Sequence, residues 1–287
     1  MIRLSAFADE ISADLNEQIA VLQEEHIQHI ELRSVWGVNV LDLDDSQVTE
    51  IKQTLQTHGI RVAAIASPIG KVPVDASFEE HLQRFERAMV LAQRFKTRYI
   101  RLFSFYPPTS STVKNPLTPL RRNPDPASYR DEVLRRSRIM VELAQEAGLV
   151  LLHENEKEIY GDSLERNLDL FSNIESTSWR AAFDPANFLQ CQEQPYPAAY
   201  QALKPWLAYV HVKDVTASGT LVPAGFGEAR WPEILQELRA DGYDGILALE
   251  PHLQSAGQFE GFSGPELFRA ASRALQQLLQ AMNWQYA

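Results

Sequence analysis

The chain alternates between short apolar runs and longer segments with helical periodicity, and the pattern repeats eight times. Runs of four to seven residues are typical of buried strands in a parallel sheet. Eight strand–helix units in 287 residues favour a closed barrel over an open doubly wound sheet. We therefore predict an α/β fold, a (β/α)8 TIM barrel, as a single domain over residues 1–287. The predicted strands are Ile2–Ala8, His29–Leu32, Ile60–Ala66, Tyr99–Phe103, Leu149–His153, Arg180–Phe183, Leu207–His211 and Ile246–Leu249.

Composition narrows the range of partners. The formal net charge is −11 and the sequence contains no run rich in Lys and Arg, so nucleic acid and anionic membrane surfaces are not expected partners. The single cysteine, Cys191, excludes an intramolecular disulfide. The N-terminus, MIRLSAFADEI, lacks the apolar stretch of a signal peptide, and no apolar run is long enough to span a membrane. A cytoplasmic location is the expectation.

One long segment interrupts the alternation after the fourth predicted strand. Residues 106–126 contain six prolines, and such long loops inside a compact domain are usually functional. A loop that follows a barrel strand lies on the face where barrel active sites form. Arg121 and Arg122 within it could meet an anionic group, although a solvated cover or a subunit contact explains the segment equally well.

Each of the last four predicted strands ends on a residue that can bind a metal. Because the C-terminal ends of barrel strands meet on one face, these side chains should converge on one pocket. Four consecutive endings of this kind are hard to attribute to chance, although any single one could be an ordinary polar strand terminus. The residues are Glu154 in LVLLHENE, Asp184 in WRAAFDPAN, His211 in LAYVHVKD and Glu250 in ILALEPH.

The predicted donor set is three carboxylates and one imidazole. Carboxylates favour hard cations, so Mn²⁺ is the expected ion, with Mg²⁺, Co²⁺ or Zn²⁺ as alternatives. Four protein ligands leave room for two substrate oxygens, as a hydroxy-ketone would supply. Proton transfer next to the carbonyl then needs an acid and a base, and Glu154 and Glu250 are the candidates for both.

Other polar residues near strand ends are candidates for substrate contacts. Arg33, Lys71 and Arg101 could bind hydroxyls or a phosphate, or form ion pairs around the barrel rim. His252 follows Glu250 by two residues and could line the pocket. His153 alternates with Glu154 and should therefore point away from it.

Several sequence segments carry a family resemblance. They are HEN at 153–155, FDPAN at 183–187, YVHVKD at 209–214, PAGFGEARW at 223–231 and GYDGILALEPH at 242–252. On these segments the chain resembles the sugar phosphate isomerase/epimerase superfamily with the xylose isomerase-like TIM barrel. The resemblance implies that Glu154, Asp184, His211 and Glu250 are the metal ligands, with the two glutamates as the acid–base pair.

The same resemblance bears on the substrate. Ketose epimerases of this superfamily have a histidine where this chain has Asn187, and an arginine where it has Ala217. Lys213 and Asp214 resemble instead the lysine–aspartate pair of inosose dehydratase-like members. Asn187, Lys213 and Asp214 are thus expected to contact the substrate.

We expect a metal-dependent isomerase or epimerase that acts on a small sugar, keto-sugar or polyol. A dehydratase needs nearly the same site, so it stays open as an alternative. An endonuclease IV-like repair enzyme would need several more histidines at strand ends and less negative charge. A non-catalytic barrel would leave four buried ionisable groups uncompensated. A homodimer is an expectation by analogy with the fold.

Overall fold

The computed structural model describes residues 1–109, 124–253 and 262–287. Most of the proline-rich segment 106–126, including Arg121 and Arg122, therefore lies outside the described residues. Within the described ranges, no helix is both long enough and apolar enough to cross a membrane.

Eight parallel strands close into a barrel, which confirms the predicted fold class. Neighbouring strands pair in the order β1–β2–β5–β6–β7–β8–β9–β12, and β12 pairs back to β1. Every predicted strand is present, with ends within two residues of the expectation. The barrel strands are β1 (Arg3–Ala6), β2 (His29–Leu32), β5 (Arg61–Ala66), β6 (Tyr99–Leu102), β7 (Val150–Glu154), β8 (Trp179–Phe183), β9 (Leu207–Val212) and β12 (Ile246–Leu249).

Two small antiparallel pairs, β3 with β4 and β10 with β11, extend from the face at which the barrel strands end. They follow β2 and β9 directly, and the second pair carries the loop that leads to the helix before β12. Their bounds are β3 (Ser34–Val35), β4 (Val38–Asn39), β10 (Asp214–Val215) and β11 (Leu221–Val222).

Helices cover the outside of the barrel and pack their apolar faces on the strands. Side-chain caps fix several starts; Asp44, for example, caps α2 and forms a reciprocal pair of hydrogen bonds with Gln47. The helix expected after β8 is replaced by two short ones, because prolines interrupt this segment. The helices are α1 (Leu15–Glu24), α2 (Asp45–Thr57), α3 (Phe78–Phe95), α4 (Arg130–Glu146), α5 (Leu164–Asn173), α6 (Pro185–Gln190), α7 (Tyr200–Leu203), α8 (Trp231–Ala240) and α9 (Pro265–Ala281).

The barrel interior is lined mostly by small residues, which leaves room for buried polar groups. Alanines from several strands form an inner cluster with Phe7, Leu152 and Tyr209. Inside it, the Glu31 carboxylate accepts hydrogen bonds from the Ser5 hydroxyl, at 2.7 Å, and from the Tyr209 hydroxyl. Burial raises the pKa of Glu31, and these two donors counter the shift.

Two buried histidines should make the protein less stable in acid. Burial, assisted by Arg136, lowers the pKa of His81 to about 4, and burial lowers the pKa of His153 to about 3. Between these values and the ordinary pKa of 6.5, the unfolded chain binds more protons than the folded protein. The free energy of unfolding should therefore fall as the pH drops from about 6.5 to about 4, by up to about 1.4 kcal/mol per pH unit for each histidine.

Urea unfolding at several pH values between 7 and 4 measures this slope. His81→Gln removes one titrating group, while the glutamine oxygen can still accept the Gly70 N–H that the His81 Nε2 atom accepts at 3.2 Å. The variant should show a shallower slope, and His26→Gln, at an exposed position, should not. An unchanged slope in His81→Gln would show that His81 does not cause the acid sensitivity.

Candidate active site

The four predicted metal ligands come together at the C-terminal face of the barrel. One ligand atom from each of Glu154, Asp184, His211 and Glu250 lies within 4.8 Å of the others, and all four residues are buried. Glu154 ends β7, Asp184 follows β8, His211 lies near the end of β9, and Glu250 follows β12. We refer to these four residues as the metal cluster.

Unsatisfied atoms in the metal cluster fit a bound cation. Among the described residues, Asp184 Oδ2, His211 Nδ1 and Glu250 Oε2 are buried and lack a hydrogen bond of good geometry. His211 Nδ1 lies 3.2 Å from Glu154 Oε1 and 3.4 Å from Glu250 Oε2. Lys213 Nζ lies 2.9 Å from Asp184 Oδ2, an ion-pair distance without hydrogen-bond geometry, so a metal would share this oxygen with the ammonium group. Buried polar atoms without partners are costly, and a metal ion would satisfy all three.

The pKa values of residues in the metal cluster also favour a bound cation. Burial would lower the pKa of His211, but Glu154 and Glu250 beside it raise the pKa to about 10. Burial raises the pKa of Asp184 to about 6, against the pull of Lys213. The buried carboxylates thus draw positive charge onto the imidazole, and a divalent ion could supply that charge in place of the proton.

Each of the two glutamates has a second oxygen beyond the one it offers to a metal, here called the outer oxygen. Both outer oxygens already accept a hydrogen bond. Glu154 Oε2 accepts a hydrogen bond from Arg101 at 3.2 Å, and Glu250 Oε1 accepts one from Arg33 at 3.0 Å. His252 Nε2 lies 3.4 Å from the same Glu250 oxygen. If one oxygen of each glutamate binds a metal, the other oxygen has to accept or donate the proton. The structure places arginines on the second oxygens, so a substrate must displace or share these contacts before either glutamate can move a proton.

A cavity of about 550 Å³ opens directly above the metal cluster, a size that suits a small molecule. Most of its lining residues are polar, and they include five Lys or Arg and three Glu. All but one of the predicted substrate contacts line this cavity, together with Glu250; they are Arg33, Lys71, Arg101, Asn187, Lys213 and His252.

Asn187 is tied to the metal cluster as well as to the cavity. Its Nδ2 atom donates to Glu154 Oε1 at 3.1 Å and to the Asn155 carbonyl at 2.9 Å. Its backbone N–H donates to Asp184 Oδ1 at 2.9 Å, which caps α6. Asn187 therefore holds Glu154 and Asp184 in place, whereas its Oδ1 atom has no partner among the described residues.

Asp214 is the exception, and here the structure corrects the expectation that it contacts substrate. Its side chain is fully buried and does not line the cavity. The carboxylate accepts the backbone N–H groups of Val215, Gly225, Gly227 and Ala229 at 2.8–3.0 Å. Asp214 therefore organises the loop between β11 and α8, and a Cβ atom on Gly227 would collide with its carboxylate.

Replacing Asp214 should consequently affect stability. Asp214→Asn loses part of the acceptor capacity that four N–H groups use, two of them buried and two half-buried, so we expect the free energy of unfolding to drop by about 3 kcal/mol or more. Urea unfolding measures the change. Glu228→Gln makes the same charge change at an exposed position of the same loop and should leave stability almost unchanged. Equal stability of the two variants would contradict the structural role of Asp214.

Two acidic residues that follow the first strand also belong to the site and were not predicted from the sequence. Asp9 Oδ2 pairs with Arg33 at 2.7 Å. Glu10 Oε2 accepts the backbone N–H of His252 at 2.8 Å, and Glu10 Oε1 lies 3.2 Å from His252 Nε2. The signal was the FADE motif at 7–10, which places acidic residues at or just after the end of a strand, as for the three carboxylates of the metal cluster. These two residues orient the arginine and the histidine that contact Glu250.

Aromatic rings support the arginines of the site, and the centre of the Phe103 ring lies 5.0 Å from the Arg101 guanidinium. Phe7 lies beneath both guanidinium groups, with its ring centre 4.9 Å from Arg33 and 5.0 Å from Arg101. Cation–π contact in a buried setting favours fixed guanidinium planes. On the other side of the cavity, Lys71 pairs with Glu156 at 3.1 Å. The rim therefore carries a network of charges around Glu250 and a separate Lys71–Glu156 pair.

Comparison with known proteins places the chain among barrels of one type. It is 22% identical to the 3-dehydroshikimate dehydratase of Bacillus anthracis over 226 residues, 71% of this chain and 75% of that protein. A magnesium complex of a xylose isomerase-like TIM barrel protein from Mycobacterium smegmatis superposes with a TM-score of 0.73 at 17% identity, covering 98% and 97% of the two chains. D-psicose 3-epimerase of Clostridium cellulolyticum, solved with D-tagatose, gives 0.72 at 13% identity, covering 97% and 99%.

At these identities the solved structures show a shared fold. The family assignment rests on a sequence model of the xylose isomerase-like TIM barrel, which matches residues 19–278. The match spans nearly the whole chain and includes all four residues of the metal cluster. This chain therefore belongs to the xylose isomerase-like TIM barrel family.

Proposed function

We propose that this chain is a divalent-metal-dependent enzyme that transfers a proton next to a carbonyl group of a small, sugar-like hydroxy-ketone. The observation that carries the proposal is the pair Glu154 and Glu250, two carboxylates in one buried metal cluster beneath a polar cavity of about 550 Å³. The oxygen-rich ligand set favours Mn²⁺, with Mg²⁺, Co²⁺ or Zn²⁺ also compatible.

Each part of the site has a role in this chemistry. When bound, the ion polarises the carbonyl group and stabilises negative charge on its oxygen. Glu154 and Glu250 are placed to take a proton from the neighbouring carbon and to return one. Arg33 and Arg101 hold the outer oxygens of these carboxylates until a substrate competes for the same contacts. Lys213 and Asn187 have polar groups at the cavity wall that can orient substrate oxygens.

An isomerase or epimerase uses both glutamates, because a proton leaves one carbon and arrives at another carbon or at the opposite face of the same one. The relative D-psicose 3-epimerase shares the fold, which makes this outcome the first candidate. In such a reaction no water is lost, so the product has as many hydroxyl groups as the substrate.

A dehydratase is the second candidate, and two observations favour it. The related protein of Bacillus anthracis is a 3-dehydroshikimate dehydratase. In addition, Arg33, Lys71, Arg101 and Lys213 line the cavity. Each is paired with a carboxylate, and an anionic group of a substrate could compete for these contacts. Here His252, at the cavity wall beside Glu250, is placed to protonate a departing hydroxyl.

One experiment separates these outcomes. The metal-loaded protein is incubated in D₂O with ketohexoses, inososes and 3-dehydroshikimate, and products are followed by NMR and ultraviolet absorbance. An epimerase or isomerase incorporates deuterium at the carbon next to the carbonyl group. Apart from this exchange, its product has the same mass as the substrate. A dehydratase releases water and forms a conjugated, absorbing product. Absence of deuterium exchange and of new product across the panel would count against the proposed function.

A further inference from the structure

The opposite end of the barrel has a cavity of its own, about 480 Å³ in volume. It lies at the N-terminal face, far from the metal cluster, where the strands begin. The C-terminal parts of α2 and α3 close its side. Five of its lining residues are the first residues of barrel strands: Arg3, His29, Arg61, Tyr99 and Ile246. We refer to this space as the basal cavity.

Positive charge is concentrated around the basal cavity. Its lining contains five basic side chains and no Asp or Glu, in a protein whose net charge is −11. None of the five is in an ion pair with any described carboxylate, whereas most other described arginines are paired. The five side chains are Arg3, Lys52, Arg61, Lys96 and Arg98. Like charges around one concave space repel unless an anion compensates them.

A buried histidine supplies an independent observation. His29 lines the basal cavity and is only 8% exposed, yet its Nδ1 atom has no hydrogen-bond partner among the described residues. Burial lowers the pKa of His29, and Arg3 and Arg61 lower it further, against a hydrogen bond with the Leu4 backbone. The ring is a buried polar group beside two cations, and a ligand in the cavity could provide a partner for its Nδ1 atom.

The remaining walls suit a small organic molecule. The apolar part of the wall consists of Leu55, Ile60, Val62 and Phe95, with the Tyr99 ring beside them. The Arg98 guanidinium lies over this ring, 4.8 Å from its centre. The volume is within the range of small-molecule sites and is too small for a nucleic acid duplex. Arginine forks match the geometry of phosphate oxygens and can bind them through two hydrogen bonds each.

From these features we propose that the basal cavity binds a small polyanion with two or more phosphate groups. Phosphate oxygens would contact Arg3, Arg61 and Arg98, and the apolar wall would contact the carbon part of the ligand. This site is separate from the metal cluster, so the proposal does not depend on the reaction catalysed at the other face.

Calorimetric titration with tripolyphosphate at low ionic strength tests the proposal. The double variant Arg61→Gln/Arg98→Gln removes two exposed cations of the basal cavity, and we expect binding to weaken at least about tenfold. Arg84→Gln is the matched control, because it removes a positive charge from an exposed position of α3 that pairs with Asp42. Its affinity should stay within about twofold of the unmodified protein, since long-range charge effects are screened.

Tripolyphosphate can also bind metal ions, so a third variant locates the ligand. Asp184→Asn impairs the metal cluster and should leave tripolyphosphate binding intact. Loss of binding in this variant would place the anion at the metal and overturn the proposal. No binding to the unmodified protein at about 1 mM ligand, or equal weakening in Arg84→Gln, would also overturn it. Tighter binding of a short single-stranded oligonucleotide than of tripolyphosphate would instead identify a nucleic acid surface and exclude a small-ligand site.

Discussion

Glu154→Gln and Glu250→Gln should each lower turnover of any substrate found by about 10³-fold or more, while the barrel stays folded. Glutamine keeps the shape of glutamate but can neither accept a proton nor offer the same negative charge to a metal. General acid–base catalysis alone accounts for about 10²–10⁴-fold in rate. Each glutamate has one oxygen in the metal cluster, so loss of charge stabilisation adds to this effect.

The control is Glu156→Gln, which removes a carboxylate from the wall of the same cavity. Glu156 pairs with Lys71 and is not in the metal cluster, so its replacement should alter KM more than kcat. Metal content must be measured alongside activity. If excess metal restores full activity to Glu154→Gln, the residue serves as a ligand and not as an acid or base. Full activity in either variant without added metal would remove the proposed acid–base pair.

Removal of the metal should abolish activity and also lower the thermal stability of the protein. A ligand present at 100 times its dissociation constant stabilises the folded state by about 2.7 kcal/mol. For a chain of this size, that energy corresponds to a shift in Tm of about 5–10 °C. Differential scanning calorimetry with and without a chelator measures the shift, and elemental analysis should find about one ion per chain.

Asp184→Asn should remove this metal-dependent shift, because it deletes one of four ligands from a buried cluster. Asp9→Asn, at the same face but paired with Arg33 outside the cluster, should keep it. If the chelator shifts the Tm of Asp184→Asn as much as that of the unmodified protein, the ion binds elsewhere. If the unmodified protein contains no ion and gains no stability from Mn²⁺ or Mg²⁺, the metal cluster is not a metal site.

Much of the fold could be predicted because local patterns repeat. Short apolar runs between segments of helical periodicity predicted all eight barrel strands, for example His29–Leu32 and Ile246–Leu249 at their observed bounds. The exception lies between β8 and β9, where one helix was expected by repetition. There Pro195 and Pro197 break the helical pattern, and two short helices form instead.

The sequence by itself determined which residues share the active face. Strand order and direction in a barrel bring all C-terminal strand ends together, so Glu154, Asp184, His211 and Glu250 could be grouped without coordinates. This inference needs only the position of each residue at the end of a strand. It does not depend on side-chain conformation.

Only the tertiary structure decided which partner each side chain takes. Arg33 binds Glu250 across 217 positions of sequence. Asp214 turns away from the cavity and accepts three N–H groups from a later loop, in addition to that of the adjacent Val215. The unpaired cations around the basal cavity come from four different regions of the chain, and no local pattern joins them. Such contacts depend on distances between segments remote in sequence, which periodicity does not encode.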